Sequence, residues 1–225
     1  MKPWVQLDSA TVPGDTTQLR LMQRDQEFSI MLGTNELMNS RLSGSEEALA
    51  TLTAERIGAR KKARILIGGL GMGFTLRAAL KCFAADAEIV VAELVPEVIA
   101  WARGPLAPVF GSSLHDPRVS LLNADVGKVI SDARQEFDAI LLDVDNGPDG
   151  VSREQNDALY GLEALRRSWS GLKAGGVLSV WSAHPSAQFT KRLAGAGFKP
   201  EEIGVRARAG GRGARHTTWV ATKRA

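Results

Sequence analysis

The chemistry open to this chain rests on a glycine turn, Gly69, Gly71 and Gly73, and three acids spaced after it, Glu93, Asp125 and Asp143. The turn lies in ILIGGLGMGFTLR, Ile65 to Arg77, an apolar run that opens through glycines into a helical pattern. Glycine has no Cβ, so backbone NH groups in such a turn can approach a ligand closely, and a helix start favours negative charge. Leu70 and Met72 lie between the glycines. The next apolar run, AEIVVAEL, carries Glu93 with Leu94 beside it. An acid at the end of that second strand is placed to accept hydrogen bonds from ribose hydroxyls. The constellation reads as a site for a nucleoside-containing cofactor.

Each acid has an ordinary alternative. Glu93 ends an apolar strand, where an unpaired buried carboxylate is costly, and a charge-assisted bond to a diol, worth about 1.5–3 kcal/mol, would offset part of that cost. A solvated strand end is the other reading. Asp125 follows VSLLNA and can accept from an exocyclic amine such as that of adenine, with the Val126 NH facing a ring nitrogen. It is equally suited to N-cap the helix that follows. Asp143 ends the strand in AILLDVDNGPDG, with Asp145 and Asp149 close behind. In open α/β sheets, ligands sit outside the carboxyl ends of the strands. Gly71, Glu93, Asp125 and Asp143 each follow one of four successive strands, and their coincidence says more than any one motif.

The elements that must position these residues alternate from Ala63 onward. Strands are expected at 63–67, 87–93, 119–123, 139–143 and 177–182, with helices at 73–83, 96–104, 126–135, 152–171 and 185–196. Two further strands, about 199–207 and 216–222, flank RAGGRGAR and are easiest to join as an antiparallel hairpin. The pattern predicts an α/β, Rossmann-like class I methyltransferase fold: a mostly parallel seven-stranded sheet that ends in an antiparallel C-terminal hairpin. Before it, TTQLRLMQRD and QEFSIMLGTNELMNS alternate apolar and polar residues, as half-buried antiparallel strands do. Residues 1–44 are therefore a small N-terminal β-extension packed on a catalytic domain at 45–225. Ser45 is expected to N-cap a helix running to Ile57, with Gly58 as its stop.

Composition narrows the classes further. At 225 residues the chain can build a substantial core, and its single cysteine, Cys82, excludes an internal disulfide and a cysteine-held zinc. Cys82 is expected to be a small buried apolar residue. No apolar run reaches the length of a membrane span, and the first residues lack the order of a secretory signal, so a cytoplasmic protein without a membrane partner is expected. The formal charge is +3, with basic residues gathered at Arg60 to Arg64 and Arg206 to Arg224. Few aromatics accompany these arginines, which argues against a nucleic-acid partner.

The chain resembles the spermidine synthase family on four segments. Family motifs GGGDGGTLRE, LVEIDPEVI, DPRVEVIIGDG and FDVIIVDSSDP are similar here to GLGMGFTLRA (69–78), VAELVPEVI (91–99), DPRVSLLNADV (116–126) and FDAILLDVDNGP (137–148). The resemblance implies a common fold, an adenosyl pocket with no metal, a small-molecule acceptor and a homodimer. Met72 stands where the family has the aspartate that holds the amine of decarboxylated S-adenosylmethionine. Ser45 and Glu46 stand near its tyrosine and histidine, and Asn146 replaces its second acid. A tail carboxylate suits bare backbone NH groups better than an aspartate does. The expected function is therefore an S-adenosylmethionine-binding methyltransferase: Gly69, Gly71, Met72 and Gly73 at the tail, Glu93 and Leu94 at the ribose, Asp125 and Val126 at the adenine. Asp143 would orient the amine or the acceptor, with Asp145 as base. The alternatives are an aminopropyltransferase that uses decarboxylated S-adenosylmethionine and a diamine, and a non-catalytic adenosyl- or RNA-binding module.

Overall fold

The computed structural model describes residues 2–14, 18–144, 147–148, 158–208 and 212–224. It opens with β1 (Val5–Thr11), β2 (Gln18–Arg24), β3 (Glu27–Leu32) and β4 (Asn35–Asn39), an antiparallel sheet in that order. Next come α1 (Gly44–Ile57), β5 (Arg64–Gly68), α2 (Phe74–Cys82), β6 (Glu88–Glu93), α3 (Pro96–Arg103) and the short α4 (Ala107–Phe110). They are followed by β7 (Val119–Asn123), α5 (Val126–Asp132) and β8 (Phe137–Leu142). The chain closes with α6 (Leu162–Gly171), β9 (Leu172–Ser182), α7 (Ala187–Gly195), β10 (Phe198–Arg208) and β11 (Arg212–Lys223).

The main sheet has seven strands in the order β10-β11-β9-β8-β5-β6-β7. Strands β7, β6, β5, β8 and β9 are parallel, and β11 runs antiparallel to both β9 and β10. The expected fold is the one observed. Its topology has a consequence for binding: the chain steps outward from β5 to β6 and β7, then returns past β5 to β8. The two connections leave in opposite directions, so a crevice opens at the carboxyl ends of β5 and β8.

Why the central strands read as nearly continuous apolar runs is clear from what covers them. Side chains alternate faces along a strand. Ile65, Ile67, Ile89, Val91, Ala139 and Leu141 pack on one face against Leu49 of α1, Leu76 of α2 and Trp101 of α3. Leu66, Val90, Ile140, Leu142, Leu178 and Val180 pack on the other, against Ile130 of α5, Leu165 of α6 and Phe189 of α7. A parallel sheet covered on both sides has no solvated face.

The N-terminal sheet joins the first of these cores through Leu21, Phe28 and Ile30. Trp101 Nε1 donates to Asp8 Oδ2 at 2.7 Å and ties β1 to α3. Strand β1 carries little sequence signal because most of its side chains are exposed and its register shifts between Gln6 and Asp8. Arg118, from the DPRV segment, donates to the carbonyls of Leu80, Phe83 and Ala84 at the end of α2. Asp116 accepts from the same guanidinium, which holds its carboxyl at about 2.

Three expectations need correction. Ser43, not Ser45, occupies the N-cap position of α1, and Ser45 lies inside the helix with its side chain fully buried. Cys82 is exposed at the end of α2, because the apolar face of that helix is turned inward through Phe74, Leu76, Ala78 and Ala79. Strands β8 and β9 begin earlier than expected, at Phe137 and Leu172, and their pairing shifts register between Phe137 and Ala139. Among the described residues, no helix is long and apolar enough to cross a membrane.

Candidate active site

Strand ends are stitched together at the crevice before any side chain acts. Gly69 N donates to Ala92 O at 2.9 Å, Asp143 N to Gly68 O at 3.0 Å, and Ala124 N to Glu93 O at 3.0 Å. Gly69 takes a left-handed φ of 87°, and a Cβ there would sit 2.5 Å from the Asp143 carbonyl oxygen. Only glycine lets the turn after β5 lie this close to the end of β8. Gly73 is also left-handed, and a Cβ on it would meet the Phe110 ring at 2.3 Å. Met38 of β4 reaches across to Gly71, which brings the N-terminal sheet to the rim of the turn.

Glu93 is only 8% exposed and faces this turn. Its Oε2 accepts from Leu70 N at 2.8 Å and its Oε1 from Val95 N at 2.9 Å. Burial pushes its pKa up, against the pull of the backbone donors. The carboxylate therefore clamps the glycine turn to the start of α3, and the solvated-end reading is excluded. The backbone NH groups of Gly71 and Leu94 also act on this carboxylate. Leu94 is 41% exposed beside it, and Val126 is buried against Gly68. Asp125 does N-cap α5, its Oδ1 accepting from Gly127 N at 2.8 Å, while its side chain stays exposed at the crevice. Met72, 2% exposed, is packed in the apolar core, so its side chain offers no surface to a ligand.

A second group of residues gathers beyond β8. Asp143 Oδ2 accepts from the buried Thr75 hydroxyl at 2.6 Å, and the same hydroxyl lies 3.3 Å from the Glu46 carbonyl. Asp143 is half-buried, crowded by the surrounding protein. That crowding, with the charge of Glu46 as a second cause, pushes its pKa up to about 7. Glu46 is raised as well, chiefly by burial and against the Ser45 hydrogen bond. Ser45 Oγ donates to Glu46 Oε2 at 2.7 Å and lies 2.9 Å from His216 Nδ1 on β11. Trp181 meets the His216 ring edge to face, with centroids 5.0 Å apart.

The glycine turn, Glu93, Asp125 and Asp143 thus converge on one crevice, as their spacing predicts. Asp145 and Asp149 lie outside the described residues. Glu46, Thr75 and His216 are the participants that the spacing does not reveal. Glu46 reads in sequence as an acid favouring a helix start, and its alignment beside the family's acceptor residues is the signal that points to it.

The seven-stranded sheet with its antiparallel hairpin, and acids ranged at the carboxyl ends of β6, β7 and β8, defines an α/β protein of the class I methyltransferase fold. The spermine/spermidine synthase domain matches residues 43–192, and the chain belongs to that family. Over 123 residues it is 32% identical to polyamine aminopropyltransferase 1 of Streptomyces coelicolor, covering 54% of this chain and 22% of that protein. A polyamine aminopropyltransferase of Sulfolobus acidocaldarius is 30% identical over 122 residues, covering 54% of this chain and 39% of its own length. The matched stretch is thus well under half of either relative. Spermidine synthase from Thermotoga maritima superposes with a TM-score of 0.76 at 19% identity, covering 97% of this chain and 72% of that one. A SAM-dependent O-methyltransferase from the same organism shares the fold more loosely, with a TM-score of 0.53 at 15% identity over 78% of this chain and 64% of its own.

Proposed function

We propose that this chain transfers an aminopropyl group from decarboxylated S-adenosylmethionine to an amine. The observation that carries this reading is the acidic pair formed by Glu46 of α1 and Asp143 after β8, with Asp143 pushed up to about 7. An amine nucleophile enters as a cation and must lose a proton before its lone pair can attack. A carboxyl poised near neutral pH suits both tasks: it attracts the ammonium and can take its proton. The aminopropyltransferases among the relatives support the same choice.

The residues of the crevice fit the cofactor. A turn with a glycine cradle that a Cβ would fill at Gly69, and a clamped carboxylate at Glu93, suit an adenosyl group. Glu93 would accept from the ribose hydroxyls, Asp125 from the adenine amine beside the Val126 NH, and the turn at Gly69 to Gly73 would line the tail. When bound, decarboxylated S-adenosylmethionine supplies a propyl carbon activated by a sulfonium leaving group. The protein aligns the amine with that carbon, keeps water out and accepts the proton at Asp143.

Methyl transfer from S-adenosylmethionine is the second reading, favoured by Met72 in place of the family's aspartate. The acidic pair weighs against it, since Glu46 and Asp143 put carboxylates on the acceptor side from other elements. Incubation with each sulfonium nucleoside and a panel of diamines separates the two. Methylthioadenosine formed from the decarboxylated donor is expected; its absence, together with S-adenosylhomocysteine formed from the intact donor, would reverse the choice.

A further inference from the structure

We propose that Ser45 and His216 form a proton relay that drains Glu46, the charged neighbour of Asp143, to solvent. The proposal rests on the amine-transfer reading for the source of the proton, and on geometry for its route. Ser45 is wholly buried within α1, so water does not compete for its hydroxyl. That hydroxyl stands between two titratable groups, 2.7 Å from Glu46 Oε2 and 2.9 Å from His216 Nδ1. A hydroxyl donates once and accepts from either side, so it can pass a proton along without moving. His216 is half-buried, with its Nδ1 against the buried hydroxyl and its Nε2 left for solvent in the proposed route. Trp181 holds the ring plane from β9.

The step balances without a co-reactant. Glu46 in its acid form gives its proton to Ser45 Oγ while Ser45 gives its own to Nδ1 of a His216 protonated on Nε2; the imidazolium then loses the Nε2 proton to water, and proton exchange with solvent restores the Nε2–H tautomer. No bond between heavy atoms forms or breaks. Among the described residues, the titratable groups facing the relay are Glu46 and Glu47 of α1, Asp143 after β8 and the exposed His184 after β9. Burial, then His184, lower the His216 pKa, which speeds release to solvent. The neutral Thr75 hydroxyl faces the pair from α2, and Val205 is the register partner of His216 on β10, with Arg206 and Arg215 paired one step further along.

Ser45 and His216 are positioning residues in this scheme, and two measurements decide it. Histidine titration by NMR reads the coupling directly: Glu46→Gln and Ser45→Ala should each move the His216 midpoint by about 0.5 pH unit or more. A midpoint that stays put in both variants overturns the relay, whatever reaction the protein performs. In turnover, His216→Gln should lower kcat about tenfold near neutral pH, with KM for the amine held within about twofold and the rate restored by added imidazole. An unchanged kcat, or a loss that imidazole does not restore, overturns it too. A wild type that forms no methylthioadenosine while the NMR coupling persists would sink the amine-transfer reading alone.

Discussion

The two halves of the crevice are built on different principles. Around β5 and β6, each contact is short-range in design: Glu93 reaches only the turn after β5 and the turn after its own strand, and Asp125 reaches Gly127 two residues on. Backbone NH groups are the main partners there. Around β8 the contacts join α1, α2, β8 and β11 through side chains, Glu46, Thr75, Asp143 and His216. In the proposed reading, the first half would recognise the cofactor by backbone geometry, which tolerates little change. The second would tune protons by burial and charge, so the proposed amine chemistry could be built there from different residues.

The largest effect should come from the tuned half. Asp143→Asn should lower kcat by about 100-fold or more, the usual contribution of a general base. In the wild type, the rate should fall as pH drops through about 7, where Asp143 takes up its proton and can no longer accept one. The same shift bears on stability with a definite sign. Asp143 holds its proton up to about 7 when folded and only to its usual 3.8 when unfolded, so stability declines from pH 3.8 to 7 and stays lower above. Asp143→Asn should therefore melt at a higher temperature than wild type at pH 8. A lower melting temperature would show that the carboxylate is structural, and the contrast between the halves would fail.

The backbone-built half should lose stability first. Gly73→Ala combines a left-handed φ of 73° with a Cβ 2.3 Å from the Phe110 ring, and denaturant unfolding should show a cost of about 2–3 kcal/mol. Glu93→Ala should weaken methylthioadenosine binding by about 10- to 100-fold in calorimetry, the worth of one charge-assisted hydrogen bond. Unaltered affinity there would remove the ribose assignment. The smallest change sharpens the reading of Asp125. Asp125→Ser keeps a capping oxygen, so stability should stay within about 0.5 kcal/mol, while nucleoside affinity falls about tenfold if the carboxylate also serves the adenine. Equal affinity would leave Asp125 as a cap alone.

Sequence was a good guide to the first half because its signals are periodic and local. Alternation placed the strands of the main sheet, and the glycines and the acid after the next strand are separated by one βαβ unit. It was a poor guide where exposure replaced patterning. Strand β1 buries little, and Cys82 sits on a helix whose inward face is filled by other residues. Ser45 had the composition of a cap, yet the helix begins before it, and its hydroxyl turns inward to Glu46 and His216.

By itself, the order of apolar runs and glycine turns determined the sheet, its antiparallel hairpin and the acids at the strand ends, since each depends on residues close together in the chain. Only the tertiary structure decided that Glu46 faces Asp143, that His216 meets Ser45 across 171 positions of sequence, and that Met72 turns into the core. Charge and burial at such a meeting depend on how helices pack on the sheet, and no local spacing encodes that.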